Sequence, residues 1–115
     1  MINLSVPNLS MDILENLKEC LESGWVSTGG RFIPEFEEKV KKYMKTKYAA
    51  GVQSGTAGLH MALRVLGVEA GEEVIAPTLT FIAAVNPIVY QGATPVFIDC
   101  NDSLCMDPIK LEKFC

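Results

Sequence analysis

Histidine, paired cysteines, long apolar runs and excess positive charge are all scarce in this chain of 115 residues. Its one histidine, His60, stands beside four cysteines, Cys20, Cys100, Cys105 and Cys115, none of them in a CxxC spacing. One imidazole and scattered thiols do not compose a metal centre, so none is expected. An even cysteine count leaves disulfides open. Nothing else points to secretion, and free thiols in a reducing cytoplasm are the expectation. The most apolar window, "VIAPTLTFIAAVNPIVY", is interrupted by Pro77, Thr78, Thr80, Asn86 and Pro87. It is too short and too broken to span a bilayer. The opening residues carry Asn, Pro and Asp where a secretory signal needs an apolar run, so no targeting segment is expected. Ten Lys and Arg against fourteen Asp and Glu give a net charge of −4. That balance holds no general attraction for nucleic acid or an anionic membrane. The dense basic stretch "KVKKYMKTK" falls at the end of a predicted helix, where cations complement the helix dipole and face water.

What is present reads as an α/β protein. Ser10 is placed to cap a first helix that aligns Ile13, Leu14, Leu17, Cys20 and Leu21 and leaves at Gly24. A glycine-bearing loop, "WVSTGGRF", leads to a second helix opened by Pro34, with Phe36, Val40 and Tyr43 or Met44 turned inward. "YAAGVQ" is short, uncharged and built of small residues, as suits a strand buried on both faces. The next helix sets Leu59, Leu63 and Leu66 on one side and ends at Gly67. "EVIAP" and "PVFID" read as two further strands, separated by a helix over roughly 81–91 in which Pro87 should impose a kink. A last helix starts in "MDPIKLEKF", with Asp107 as cap and Pro108 at its first position. Strands alternating with single helices imply a parallel sheet of three strands. Residues 1–46 are read as a helical segment with a glycine loop, and 47–115 as the start of an α/β domain. Three parallel strands with open edges make a poor independent domain, so a part of something larger is expected.

The chemistry gathers where the first strand meets its helix, at Ser54-Gly55-Thr56-Ala57. In a parallel α/β sheet, ligands collect at the carboxyl ends of strands. A helix starting there offers unpaired amides and a positive dipole end to an anion. Gly55 permits close backbone approach and Thr56 adds a hydroxyl donor, so the junction reads as a phosphate cradle. The same tetrapeptide also makes an ordinary strand-to-helix turn, and neither a P-loop nor a GxGxxG fingerprint is present. Phe81 follows "PTLT" at the next strand end, where its ring could cover a flat heteroaromatic group. On local evidence alone it reads rather as a core residue of the third helix. A phosphate cradle beside a ring stacker describes a phosphorylated aromatic cofactor, of which pyridoxal 5'-phosphate (PLP) is the simplest.

"GWVSTGGRFIPEFEEKV", "SGTAGLHMAL", "GEEVIAPTLTFIAAVNPI" and "GATPVFIDC" occur in order across the chain. With them, the sequence resembles the N-terminal third of the DegT/StrS family of PLP-dependent nucleotide-sugar aminotransferases. The opening "LSVPNLS", with "FIDCNDSLCMDP", is most similar to the branch of legionaminic-acid and bacillosamine-type pathways. The resemblance implies the large domain of an aspartate-aminotransferase-like, fold type I enzyme. It implies that Gly55, Thr56 and Ala57 hold the cofactor phosphate, that Phe81 stacks on the pyridine ring, and that Thr28 and Gly29 border the substrate. Cys105, where the family commonly has Asn, and Pro87, where it has a small helix former, are departures. Neither touches the cofactor residues.

No catalytic residue is expected within the chain. Its lysines, at 18, 39, 41, 42, 45, 47, 110 and 113, read as exposed on helices or lying just before a strand. The lysine that joins the cofactor covalently and the aspartate that pairs with its ring nitrogen are expected beyond residue 115. Asp99 ends a strand but belongs to the "VFID" turn, and with His60 it is read as structural. By resemblance, the amino donor is an amino acid such as glutamate and the acceptor a nucleotide-linked 4-keto-6-deoxy sugar. The setting is cell-surface glycan synthesis by a cytoplasmic homodimer with shared active sites. A sugar dehydratase of the same family, lacking the lysine, and a non-catalytic cofactor-binding relative are the alternatives.

Overall fold

A computed structural model describes Ile2 and residues 5–115. Two compact units divide the chain, one ending at Gly51 and the other running from Val52 to Cys115.

The first unit holds two helices, α1 (Ile13–Ser23) and α2 (Phe32–Met44). Ser10 does not occupy the N-cap of α1. Its hydroxyl accepts from the Asp12 amide at 3.3 Å, a turn ahead of the helix, and Asp12 takes the N-cap position without a capping bond. Gly24 ends α1 in the left-handed region at φ +72°, as its placement suggested. The second helix begins at Phe32, two residues before Pro34. A proline lacks only an amide that the first helical turn leaves unpaired anyway, so Pro34 fits there without starting the helix. Phe36, Tyr43 and Met44 are exposed, contrary to the inward face expected of them, and Val40 is half-buried. Arg31 draws the unit together. Its guanidinium binds Glu19 of α1, reaches Glu35 at 3.2 Å and lies 4.3 Å from the centre of the Phe32 ring. Glu37 accepts from the Gly51 amide at 2.8 Å, tying the end of the unit back to α2.

The second unit contains α3 (Gly55–Val65), β1 (Glu73–Pro77), α4 (Ile82–Tyr90), β2 (Thr94–Ile98) and α5 (Pro108–Phe114). β1 and β2 run parallel, Glu73 beside Thr94 through Pro77 beside Ile98, with α4 as the crossover. The sheet therefore has two strands among the described residues, and residues 48–53 form none. A strand exists by its ladder, and "YAAGVQ" has the composition for one but no neighbouring strand to pair with. Ala76, Ile88 and Ala93 form the buried centre, with Leu63, Val68 and Val74 packed against it. Leu59 and Leu66 are exposed, so of the three leucines expected to be buried on α3 only Leu63 lies against the core. Pro87 is fully buried inside α4, its missing donor offset by the packing of its ring. Gly92 turns the chain from α4 into β2 at φ +74°, and a Cβ there would lie 2.9 Å from that of Ala70. Asp107 caps α5 as expected, accepting from the Ile109 amide at 2.9 Å and the Lys110 amide at 3.3 Å.

Candidate functional site

The strand-to-helix junction singled out in the sequence opens α3. Ser54 sits extended at the N-cap and its hydroxyl accepts from the Ala57 amide at 3.2 Å. The Gly58 amide bonds to the Ser54 carbonyl at 3.0 Å. Ala57 is thereby spoken for. The amides of Gly55 and Thr56 have no acceptor among the described residues, nor has the half-buried Thr56 hydroxyl a partner there. A Cβ placed on Gly55 would meet nothing within 4 Å, so the backbone is open on that side of Gly55. Three donors without an acceptor among the described residues, at the positive end of an 11-residue helix, fit a phosphate in number and charge.

Phe81 holds the equivalent place on α4, as its N-cap residue in extended conformation. It is 79% exposed and does not pack into the core of this unit. Arg64 and Gly67, from the far end of α3, line one pocket with Gln91 from the far end of α4. The two helices pack side by side with these ends together, which turns both N-termini toward the carboxyl end of β1. The Gly55–Thr56 donors and the Phe81 ring thus lie on the same side of the unit.

His60 packs edge-on against Tyr90, ring centres 5.7 Å apart, and joins α3 to α4 as a structural residue. Thr28 and Gly29 lie in the first unit, in the loop between α1 and α2. Gly29 is there for close approach. A Cβ at this position would fall 2.5 Å from the far edge of the Trp25 indole. Gly29→Ala is expected to swing the exposed Trp25 ring aside, changing the emission of the chain's one tryptophan at a stability cost of about 0.5 kcal/mol or less. An unchanged emission spectrum would contradict that packing.

One polar cluster escaped the sequence reading. Asp99, the residue after β2, accepts from the Thr78 hydroxyl at 3.2 Å and from the Cys100 amide at 2.9 Å through one oxygen. Its other oxygen accepts from the Lys110 ammonium at 2.5 Å. Lys110, on the first turn of α5, therefore comes to the carboxyl end of the sheet, where no lysine was expected. The signal lay in Asp107 and Pro108. They start α5 close enough after Asp99 for its first turn to fold back on β2, a return closed by the Asp107 amide on the Asp99 carbonyl at 2.9 Å.

Hydrogen bonding from Lys110, then from the Cys100 amide, with the Lys110 charge and the Thr78 hydroxyl, holds the Asp99 carboxyl below its ordinary range. The Asp99 contact pushes the Lys110 ammonium upward, with Asp107 and Cys100 adding to the same direction. A depressed carboxyl contributes stability above its unfolded value and loses it as pH falls through the folded one. The pair is thus expected to be intact at neutral pH and to release below the ordinary aspartate value of 3.8. Melting curves between pH 5 and pH 2 should show a shallower acid decline for Asp99→Asn than for the wild type. Parallel declines would mean that the pair adds nothing.

Among the described residues no cluster of His, Cys, Asp or Glu could hold a metal, and no helix is long and apolar enough to cross a membrane.

A model of the DegT/DnrJ/EryC1/StrS aminotransferase family matches residues 7–115. GDP-perosamine synthase of Escherichia coli O157:H7 is 47% identical over 96 residues, 84% of this chain and 26% of that protein. Among solved structures, Spr1654 of Streptococcus pneumoniae in its PLP form aligns with a TM-score of 0.89 at 36% identity, covering 97% of this chain and 29% of that one. NtdA of Bacillus subtilis with bound PMP aligns at 0.83 and 34% identity, over 89% of this chain and 23% of its own. The chain spans less than a third of the length of each. Its crossover unit is the N-terminal part of the fold type I architecture of these PLP- and PMP-bound neighbours.

Proposed function

The chain belongs to the DegT/DnrJ/EryC1/StrS aminotransferase family, and from that premise we propose that it carries the phosphate and ring contacts of a PLP-dependent sugar aminotransferase. The observation that supports this reading is the trio of free donors on Gly55 and Thr56, set on the same side of the second unit as the exposed Phe81 ring. Gly55 and Thr56 receive the phosphate. Ala57, its amide held by Ser54, contributes a side chain small enough to leave the cradle open. Phe81 covers one face of the pyridine ring. Thr28 and Gly29 are assigned to the sugar side.

When bound, PLP supplies the electron sink that lets an amino group leave one carbon and join another. The chain's own residues anchor and orient it, and Phe81 excludes water from one face. The donor is an amino acid, glutamate, and the acceptor a nucleotide-linked 4-keto-6-deoxy sugar used in cell-surface glycans. The protein works as a cytoplasmic homodimer with shared active sites. In the intact protein, the visible absorbance of bound PLP should bleach on adding glutamate and return on adding the keto-sugar nucleotide, with an amino sugar as product. Absorbance unmoved by glutamate would refute the transfer, and a deoxygenated sugar without nitrogen would identify a dehydratase instead.

A further inference from the structure

β1 ends at Pro77, and only Thr78, Leu79 and Thr80 separate it from Phe81. Leu79 is exposed, as Phe81 is, so the apolar core does not hold this segment. Among the described residues it is held at one end by Thr78 and at the other by the start of α4, where the Phe81 carbonyl accepts from the Ala84 amide at 2.8 Å. The Thr78 amide extends the ladder to the Ile98 carbonyl at 3.0 Å, and its hydroxyl bonds Asp99 at 3.2 Å. Asp99 is itself fixed from three directions, by the Cys100 amide, by Lys110 at 2.5 Å and through its carbonyl by the Asp107 amide. A carboxylate pinned in this way makes a rigid post, and Thr78 is tied to it three residues before the ring.

We propose that Asp99 and Thr78 are positioning residues for Phe81, setting the direction in which its ring meets the cofactor. The inference rests on the proposed function, because it assigns the ring a partner. Neither residue touches the cofactor. Both act through the segment they hold, and a ring left on a looser tether covers the same group for less of the time. Lys110 belongs to the post because it fixes the second Asp99 oxygen. Its charge is neutralised there and takes no part in the chemistry.

The test is a double-mutant cycle in the intact protein, read by PLP titration and by amide hydrogen exchange of the cofactor-free form. Thr78→Val is expected to weaken PLP binding about three- to tenfold, less than the full worth of the hydroxyl–carboxylate bond because the loss reaches the cofactor only through Phe81, and Thr78→Ser to restore it. In the Phe81→Leu background, Thr78→Val should have no further effect, since both changes act on the same contact. The Thr78 amide, bonded to the Ile98 carbonyl, should exchange faster in Thr78→Val without cofactor present. Full additivity of the two substitutions, or unchanged exchange of the Thr78 amide, would overturn the positioning role while leaving the cofactor site standing. A wild-type protein that fails to bind PLP would overturn the proposed function itself, and this inference with it.

Discussion

Replacing Thr56 by valine in the intact protein is expected to weaken PLP binding roughly ten- to a hundredfold while thermal unfolding barely moves. Valine keeps the branched shape of threonine and loses only the hydroxyl. That hydroxyl has no partner among the described residues, so its removal breaks nothing in the folded chain. Its worth lies with the ligand. A hydrogen bond to a charged acceptor such as phosphate contributes about 1.5–3 kcal/mol, the origin of the expected range. The loss cannot be recovered from Ala57, whose amide is already taken by Ser54 at 3.2 Å. The amides of Gly55 and Thr56 remain, which is why binding should fall and not vanish. Titration of cofactor-free protein, followed by absorbance, separates this from a folding defect. An unchanged affinity would remove Thr56 from the cradle.

The local features of this region were readable because they depend on neighbouring residues only. Asp107 and Pro108 start α5, Gly24 ends α1, and the alternation of apolar stretches marks β1 and β2, each set by chemistry within a few positions. Features that depend on distant partners were not. "YAAGVQ" has the small, uncharged make-up of an interior strand, yet pairing decides whether a strand exists, and residues 48–53 pair with nothing described. Tyr43, Met44, Leu59 and Leu66 follow helical spacing faithfully and are exposed all the same. Periodicity states which face is apolar, and only a covering element makes that face a core. The Asp99 cluster was missed for a third reason. Thr78 and Asp99 meet because a parallel crossover brings two strand ends side by side, and Lys110 joins them because α5 folds back on β2. The parallel crossover was inferred correctly, and side-chain reach across it was not. The candidate cradle was legible because Ser54 to Ala57 are contiguous, whereas their relation to Phe81 needed the packing of α3 on α4.

The 115 residues by themselves are expected to acquire no stoichiometric covalent PLP and no transaminase activity. An attacking lysine must be neutral, which takes desolvation or a nearby positive charge to lower its pKa. The lysines here have the opposite surroundings. Every one except Lys41 is exposed, and Lys41 is half-buried in an ion pair with Glu38. Lys39 lies 2.6 Å from Glu35, and Lys18 lies 3.9 Å from Glu22. Lys110 alone stands near the strand ends, and there Asp99 raises its pKa and keeps it charged. A cradle and a stacking ring can hold PLP loosely, but none of these amines is prepared to bond it. The chain mixed with PLP, reduced with borohydride and mapped by mass spectrometry should show only scattered, substoichiometric lysine labels. Asp99→Asn offers a sharper version, because freeing Lys110 from its carboxylate should raise labelling at that lysine above its level in the wild type. One lysine labelled to completion in the unaltered chain, with turnover of glutamate, would place the covalent anchor within these residues, and if that lysine were Lys110 its assignment to a structural pair would fall as well.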